Sequence, residues 1–566
     1  MVKEEFEPGI RDPRKTRLIY GGIFLLVLIV LGASTLPAYR AFKKFRAHQM
    51  TEEAIIHLEK DNFEQAWEKA QTAYQLYPLD AEVARTAAKV YSRLDPSQAV
   101  AFWQEAYELS EDREDLIELI DAAILARQLD IAEENIKELK ALGQPLGTAF
   151  YHEARLKLLE MDVTEAIAAA QQSLTEGGAP EDAPFLYIQL TQFSQDPAVR
   201  AEGIEYLREL ARKPNTIGIK ALRRIGAFPE NTPDELREVI DAVNNHPARE
   251  RNDLLYALEL EMRLPDASAK DNLRKASELF NKDDLGELTE YGRWLNRQRR
   301  YGQTLEIITE KQALSRSDLF LVWADALAAL DKWDKIGEVL SLSNLPIQRY
   351  QFLLFQARLY FETGQYDRGE FAWTRALLQV ANQPRQLWYL EGYAMRLGLY
   401  EQARETLDRL TQLASTRREA YEKLVQLEQK HGSVESLREV LKRMSEAYPR
   451  DLMVKNDLAY ANLLLNEEVQ QSAEVARELV DDGSLFLANR ITLALAYYRL
   501  GQMSKAAEVL DTLGIDWNQA RPGFRAIYAA ILRANGRTTD ANKLLTNINV
   551  GALLKEEQEL LGQTRG

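Results

Sequence analysis

After residue 50, apolar residues recur at i, i+3 and i+4 along almost the whole chain, which is the spacing of one face of an α-helix. Alternation of apolar and polar residues, which marks a half-buried strand, is scarce. The breaks between the helical stretches are short. The pattern therefore predicts an all-α chain made of successive amphipathic helices.

The breaks recur at nearly fixed spacing and share one order of residue types. A glycine comes first, a small residue follows five positions later, and a large apolar residue comes four positions after that. The clearest glycines are Gly364, Gly398, Gly501 and Gly536, followed by Gly369, Ala403, Ala506 and Ala541 and then by Trp373, Leu407, Leu510 and Leu545. Glycine ends a helix in the left-handed conformation, and a small residue lets two antiparallel helices cross closely. Each break therefore predicts a helical hairpin.

The helix before each break has its own signature, a small residue followed by an aromatic residue three positions on. Examples are Ala357 with Tyr360, and Ala494 with Tyr497. These residues resemble the tetratricopeptide repeat family, whose 34-residue unit is a pair of antiparallel helices. At that period about fifteen units fit between residues 47 and 549, starting near 47, 81, 113, 147, 184, 217, 250, 285, 318, 350, 384, 418, 452, 487 and 522.

The resemblance implies an all-α fold, a right-handed superhelical α-solenoid whose first helices line a concave face. Units near 184, 217, 250 and 452 match the pattern least well. We expect N-terminal repeats over 40–212, a degenerate repeat or joint over 213–249, C-terminal repeats over 250–550, and a capping helix and tail over 551–566. Four prolines in a short stretch are the reason for expecting a joint.

Residues 18–39 carry no charge and follow an N-terminal tail, 1–17. About 20 apolar residues cross the hydrocarbon core as a helix, so this stretch predicts one transmembrane helix. Tyr and Lys/Arg residues lie at its two ends, as interfacial anchors do: Arg17, Tyr20, Tyr39, Arg40, Lys43 and Lys44. The alternative is a cleaved signal peptide with small residues at 32–34, but the leader is acidic and the uncharged run continues beyond that site.

A short tail, one apolar segment and a large C-terminal body are typical of a signal anchor, although basic residues on the two sides of the segment are nearly balanced. We therefore expect a single-pass membrane protein. In a bacterium, it would lie in the inner membrane with the repeats in the periplasm.

With 566 residues and a net charge of −16, the chain is too long for one compact core and too acidic to suit nucleic acid. There is no cysteine, and the five histidines are scattered without metal-ligand spacing. A phosphate-binding loop, a nucleophile elbow and a paired-His motif are all lacking from the sequence. These observations predict no metal, no cofactor and no enzymatic activity.

The family resemblance places peptide-binding side chains at set positions of each first helix. In the C-terminal half these positions are occupied by Arg358, Phe361, Trp388, Arg396, Tyr460, Tyr498, Arg499 and Arg533. Arginine and aromatic residues are enriched at interfaces, and this set suits an acidic or C-terminal peptide segment. The alternative interpretation is that they are ordinary half-exposed helix residues.

Taken together, these features predict a membrane-anchored scaffold for protein–protein interaction, by family analogy in envelope biogenesis, polysaccharide export or secretion. One alternative is a fixed structural subunit of a membrane complex. An enzyme with an unrecognised site in the irregular region 213–247 is the other.

Overall fold

The computed structural model describes residues 39–563, except 61, 195, 482–485, 512–514, 516, 519 and 547. The described part of the chain is helical and contains no strand. It divides into two compact units, one ending at Gly143 and the other beginning at Gln144. The predicted all-α class is confirmed.

The unit that ends at Gly143 contains six helices among the described residues. They are α1 over 39–59, α2 (Phe63–Leu76), α3 (Ala81–Leu94), α4 (Pro96–Ser110), α5 (Arg113–Leu125) and α6 (Leu129–Ala141).

The unit that begins at Gln144 first continues as ten helices: α7 (Gly147–Leu159), α8 (Val163–Thr175), α9 (Ala183–Phe193), α10 (Pro197–Ala211), α11 (Thr216–Gly226), α12 (Pro233–Asn245), α13 (Arg251–Glu261), α14 (Ala269–Glu278), α15 (Leu285–Arg297) and α16 (Tyr301–Ile307). The remaining helices are α17 (Glu310–Ala313), α18 (Ser317–Ala329), α19 (Trp333–Leu340), α20 (Arg349–Glu362), α21 (Tyr366–Gln379), α22 (Pro384–Leu397), α23 (Tyr400–Thr411), α24 (Arg417–His431), α25 (Val434–Ala447), α26 (Leu452–Leu465), α27 (Val469–Asp481), α28 (Leu487–Arg499), α29 (Met503–Asp511), α30 (Pro522–Ala534), α31 (Thr538–Leu545) and α32 (Lys555–Gln563), with a 3₁₀ turn at Val550–Ala552.

The first helix of each repeat starts where the 34-residue period places it. From the repeat near 81 to the one near 522, every observed start lies within one residue of the predicted position. This includes the poorly matching repeats, which begin at Ala183, Thr216, Arg251 and Leu452. The tandem helix-pair architecture is therefore confirmed.

Residues 213–249 fold as the helix pair α11 and α12, packed on each other through apolar residues such as Leu222 and Val243. The prolines of this stretch lie outside the helix interiors, since proline there would remove a backbone hydrogen bond. Pro233 occupies the first turn of α12, where its fixed φ is favourable, and the others lie in the connections.

The predicted turn chemistry is present at the clearest repeats. Gly364, Gly398, Gly501 and Gly536 all have φ between +71° and +76°, the left-handed conformation that glycine adopts at low cost. The small residue at the helix crossing is fully buried at Ala403, Ala506 and Ala541.

In several successive repeats the first helices also contact each other. α15 packs on α18, α26 on α28, and α28 on α30. We call the side of the second unit formed by these first helices the A-helix face. Side chains from several successive repeats lie close together on the A-helix face.

The predicted transmembrane helix, residues 18–39, lies outside the described residues except for Tyr39. Within the described part, none of the helices combines the length and the apolar character needed to cross a bilayer.

Candidate functional site

An open cavity of about 430 Å³ lies on the A-helix face, between the first helices of four successive repeats. Its charged and aromatic lining comes from α15, α18, α20 and α22, together with Tyr301 at the start of α16: Arg293, Arg297, Asp325, Arg358, Tyr389, Tyr393 and Arg396. We call this the basic cavity. Four guanidinium groups and one carboxylate give it a positive charge within a chain whose net charge is −16.

Arg293 and Arg297 reach the basic cavity together because residues four apart lie on the same side of a helix. Both are exposed, and neither forms an ion pair with any residue that the structure describes. Arg396 is exposed as well, with its guanidinium 5.6 Å from the centre of the Tyr393 ring. These three cations are available to a ligand.

Arg358, by contrast, is fixed in place and only 8% exposed. Its guanidinium lies 5.2 Å from the Trp333 ring centre and 5.7 Å from that of Tyr393, so it is held by cation–π contacts. Nη1 donates to the Tyr393 hydroxyl at 3.2 Å and lies 3.8 Å from Asp325 Oδ1. A buried, preorganised arginine binds an anion with little loss of side-chain entropy.

Asp325 is the acidic member of the cavity, and its side chain is 32% exposed. The pKa of Asp325 is raised, because burial outweighs the opposing effect of the Arg396 and Arg358 guanidiniums. Burial also raises the pKa of Tyr389 and of Tyr393, so both hydroxyls stay protonated at neutral pH. The cavity thus offers guanidinium and phenol donors, the groups that bind carboxylates.

The predicted site residues separate into two sets on the A-helix face. Arg358 and Arg396 come together in the basic cavity. Trp388 lies on α22 without lining that cavity, and the Lys423 ammonium is 5.5 Å from its ring centre. Phe361 faces α21 instead, where a Cβ added to Gly369 would lie 2.5 Å from its ring.

The other four predicted residues lie near the C-terminus, and most of them hold the fold together. Arg499 donates to the carbonyls of Leu463 and Leu464 at 2.8 and 2.7 Å, which caps the end of α26. Tyr498 is half-buried against the core of the last repeats.

Tyr460 and Arg533 contact α32, the last helix. The Tyr460 hydroxyl donates to Glu557 Oε1 at 2.6 Å, and Arg533 Nη1 donates to the Leu561 carbonyl at 3.3 Å. α32 packs on α26 and α30, so the chain covers this part of its own A-helix face. Helix α32 thus contacts the last repeat through α30, and it contacts the repeat two before it through α26.

Sequence reasoning missed Arg293, Arg297, Asp325, Tyr389 and Tyr393. Arg293 and Arg297 occupy the ninth and thirteenth positions of the repeat that starts at 285, the same phase that identified Arg358 and Arg396. Applying the same repeat positions to the repeat that starts at 285 would therefore have identified both arginines. Asp325 and the two tyrosines lie outside the phase, and only the packing of neighbouring repeats brings them together.

Of the predicted membrane-anchor residues, Arg17 and Tyr20 lie outside the described residues. Tyr39 and Arg40 are exposed on α1, and Lys43 is half-buried, with its ammonium 5.1 Å from the Tyr39 ring centre. Lys44 instead forms an ion pair with Asp80 Oδ2 at 3.1 Å.

One group of potential metal ligands occurs in the described residues, His48, Asp80 and Glu82. His48 Nε2 lies 3.1 Å from Asp80 and Nδ1 lies 3.4 Å from Glu82. The two imidazole nitrogens thus face different carboxylates, and the Lys44 ammonium already pairs with Asp80. Asp80 Oδ2 thus contacts both the Lys44 ammonium and His48 Nε2.

The fold and the cavity define an array of tandem helix pairs with the architecture of tetratricopeptide repeats. No protein-family model matches the chain, and no curated protein sequence does. Solved structures similar to it include the APC/C hetero-tetramer Cut9–Hcn1, with 12% identity and a TM-score of 0.25 over 92% of this chain and 96% of that one. Yeast Tom70 has 14% identity and a TM-score of 0.26 over 84% of this chain and 99% of that one.

Proposed function

We propose that this protein is a non-enzymatic scaffold that binds a partner protein through the basic cavity, and that the partner contributes an acidic segment or a free C-terminal carboxylate. The observation that carries the proposal is the set of three exposed arginines beside the buried Arg358, on one face of an otherwise acidic chain. Arginine clusters bind carboxylates through paired, charge-assisted hydrogen bonds.

The proposal includes a membrane anchor, residues 18–39, that holds the repeats close to a bilayer, with the repeats in the periplasm if the organism is bacterial. Two observations support it. The segment is uncharged, and α1, which follows it, exposes Tyr39, Phe42 and Phe45 between basic residues. Exposed aromatic and basic residues at a helix end suit the headgroup region. Reporter fusions after residue 60 test this part, since a reporter that remains cytoplasmic would exclude export.

Binding at the basic cavity is tested with a fluorescein-labelled hexaglutamate peptide and the full chain in detergent, followed by fluorescence anisotropy. A triple variant, Arg293→Gln, Arg297→Gln and Arg396→Gln, removes the exposed cations and leaves Arg358 in place. We expect its affinity to fall at least about tenfold, since each charge-assisted contact contributes about 1 kcal/mol or more.

A matched control removes three positive charges outside the cavity, Arg274→Gln, Lys311→Gln and Arg375→Gln. All three residues are exposed in the structure. The control should bind hexaglutamate within about twofold of the unmodified chain. Equal losses in the two triple variants would show that only net charge matters and would overturn the cavity as the site.

A fixed structural subunit is the second candidate, and one observation favours it. α21 exposes Tyr366, Phe371 and Leu378, each about two-thirds accessible. Phe371 and Leu378 are seven residues apart and so lie on one side of the helix. Apolar side chains exposed together on one face of a helix are typical of a protein–protein interface. Loss of complex assembly in Phe371→Ser/Leu378→Ser, with the arginine variants unaffected, would favour this candidate.

A further inference from the structure

A second, smaller cavity of about 140 Å³ lies between α24, α25, α26, α28, α30 and the segment that leads into α32. Its polar lining includes the carboxyl groups of Asp457 and Glu557 and the amide of Asn456, together with the guanidinium of Arg521. We call this the acidic cavity. It shares no residue with the basic cavity.

Asn456 is the group that points to a ligand. It is only 2% exposed and lines the cavity. Its amide nitrogen donates to Asp457 Oδ1 at 3.3 Å, whereas its Oδ1 has no hydrogen-bond donor among the described residues. A buried acceptor without a donor is costly in free energy, so such a group marks a place where a donor is expected to bind.

Two donors beside the acidic cavity are already engaged with Glu557. The Tyr460 hydroxyl donates to Glu557 Oε1 at 2.6 Å, and the Leu554 amide donates to Glu557 Oε2 at 2.9 Å. Arg521 lies over the Phe524 ring at 5.4 Å and forms no ion pair with a described residue. When both carboxyl groups are ionised, the lining, with Arg521 included, carries one net negative charge.

We propose that the acidic cavity binds a primary ammonium group, such as the side chain of a partner's lysine. An ammonium group has three donors and no acceptor, which complements two carboxylates and one amide oxygen. The rings of Tyr460 and Phe524, with centroids 6.2 Å apart, add the aromatic surface that organic cations favour. A cavity of this size holds several water molecules and so admits the aminobutyl end of lysine.

The acidic cavity combines residues that are distant in the sequence, because Glu557 lies on α32, 97 residues beyond Tyr460. Glu557 also requires a glycine at position 523, because a Cβ added to Gly523 would lie 2.1 Å from Glu557 Oε1. The C-terminal helix thus supplies half of the negative charge. The inference stands apart from the proposed function, since its test changes no residue of the basic cavity.

The test measures binding to the full chain in detergent micelles by ligand-detected NMR. The probes are Nα-acetyl-lysine methylamide, n-butylammonium and, as the neutral comparison, the same lysine derivative acetylated on its side chain. We expect both ammonium probes to bind and the neutral probe to bind at least about tenfold more weakly. Tighter binding of the lysine derivative assigns the site to a peptide, whereas tighter binding of n-butylammonium assigns it to a free amine.

Asp457→Asn and Glu557→Gln each remove one charge at nearly constant shape, and each should weaken ammonium binding about tenfold. Glu446→Gln, which removes an exposed carboxylate of α25 outside the cavity, is the matched control and should bind as the unmodified chain does. Equal affinity for the neutral and charged probes would overturn the inference. Unmodified-chain affinity in both Asp457→Asn and Glu557→Gln would do so as well.

Discussion

The Tyr460 hydroxyl and Glu557 Oε1 are joined by a 2.6 Å hydrogen bond, although 97 residues separate them in the sequence. This contact fastens α32 to the first helix of a repeat that lies two repeats before the last one. The C-terminal helix therefore covers part of the A-helix face, while the basic cavity remains open.

Tyr460→Phe removes this hydrogen bond and leaves the ring in place. We expect the free energy of local opening of α32 to fall by about 1–2 kcal/mol, because the bond is charge-assisted and half-buried. Amide hydrogen exchange over residues 555–563 measures it and should accelerate. Tyr498→Phe is the control, since the Tyr498 hydroxyl makes no hydrogen bond with a described residue. Equal exchange rates in the two variants would contradict the role given to the Tyr460–Glu557 bond.

The titration of Asp457 should make the stability of the folded chain depend on pH. Burial raises the pKa of Asp457 from 3.8 to about 6. Between those values the folded chain holds the proton more tightly than the unfolded chain, so stability from this group falls as the pH rises through that window and stays lower above it.

Asp457→Asn removes the titration. We expect its thermal midpoint to lie about 1–3 °C above that of the unmodified chain at pH 7.5, with a smaller difference at pH 4.5. Thermal melting followed by circular dichroism at both pH values tests this, with Glu446→Gln as the control. A midpoint difference of the same size at both pH values would refute the assignment to Asp457.

Two glycines of one repeat should respond oppositely to alanine. Gly398 ends α22 with φ +71°, where an L side chain is strained, so Gly398→Ala should destabilise the chain by about 1 kcal/mol. Gly392 lies inside α22, and a Cβ there meets no atom within 4 Å, so Gly392→Ala should stabilise it by about 0.5–1 kcal/mol. Thermal melting of the two variants measures the signs. A Gly398→Ala variant as stable as the unmodified chain would contradict the left-handed conformation at this turn.

Asp325 should act against the arginines around it. Because its carboxylate lies 3.8 Å from Arg358 Nη1, it reduces the positive potential of the basic cavity. Asp325→Asn should therefore tighten hexaglutamate binding by about 1 kcal/mol, or roughly fivefold. Fluorescence anisotropy at low ionic strength measures this, and the gain should shrink in 0.5 M salt. Weaker binding would mean that Asp325 serves mainly to position Arg358.

The positions of the repeats were predictable because local chemistry decides them. Gly398 ends one helix, Ala403 permits the crossing, and Leu407 fills the layer between repeats, all within ten residues. The same local phase identified Arg358 and Arg396 as neighbours on one face. Extended to the repeat that starts at 285, it also finds Arg293 and Arg297, but it does not separate these residues from Arg499, which caps α26.

The other residues of the two cavities are brought together by tertiary contacts, which the 34-residue period does not predict. The acidic cavity requires α32 to lie against α26, which is far from it in the sequence. Nothing in the sequence around Glu557 distinguishes it from Glu556, which is half-buried, or Glu559, which is exposed. The docking of a terminal helix is a tertiary property of this kind.

Site-specific photo-crosslinking in native membranes tests the central claim most directly. A photo-crosslinking amino acid is placed at Leu321, which lines the basic cavity, or at Phe371 on α21, and the crosslinked partner peptide is sequenced. We predict an acidic or C-terminal segment crosslinked from Leu321, and its loss in the triple variant Arg293→Gln, Arg297→Gln and Arg396→Gln. Crosslinks from Phe371 alone, unaffected by that triple variant, would contradict the claim that the basic cavity binds the partner.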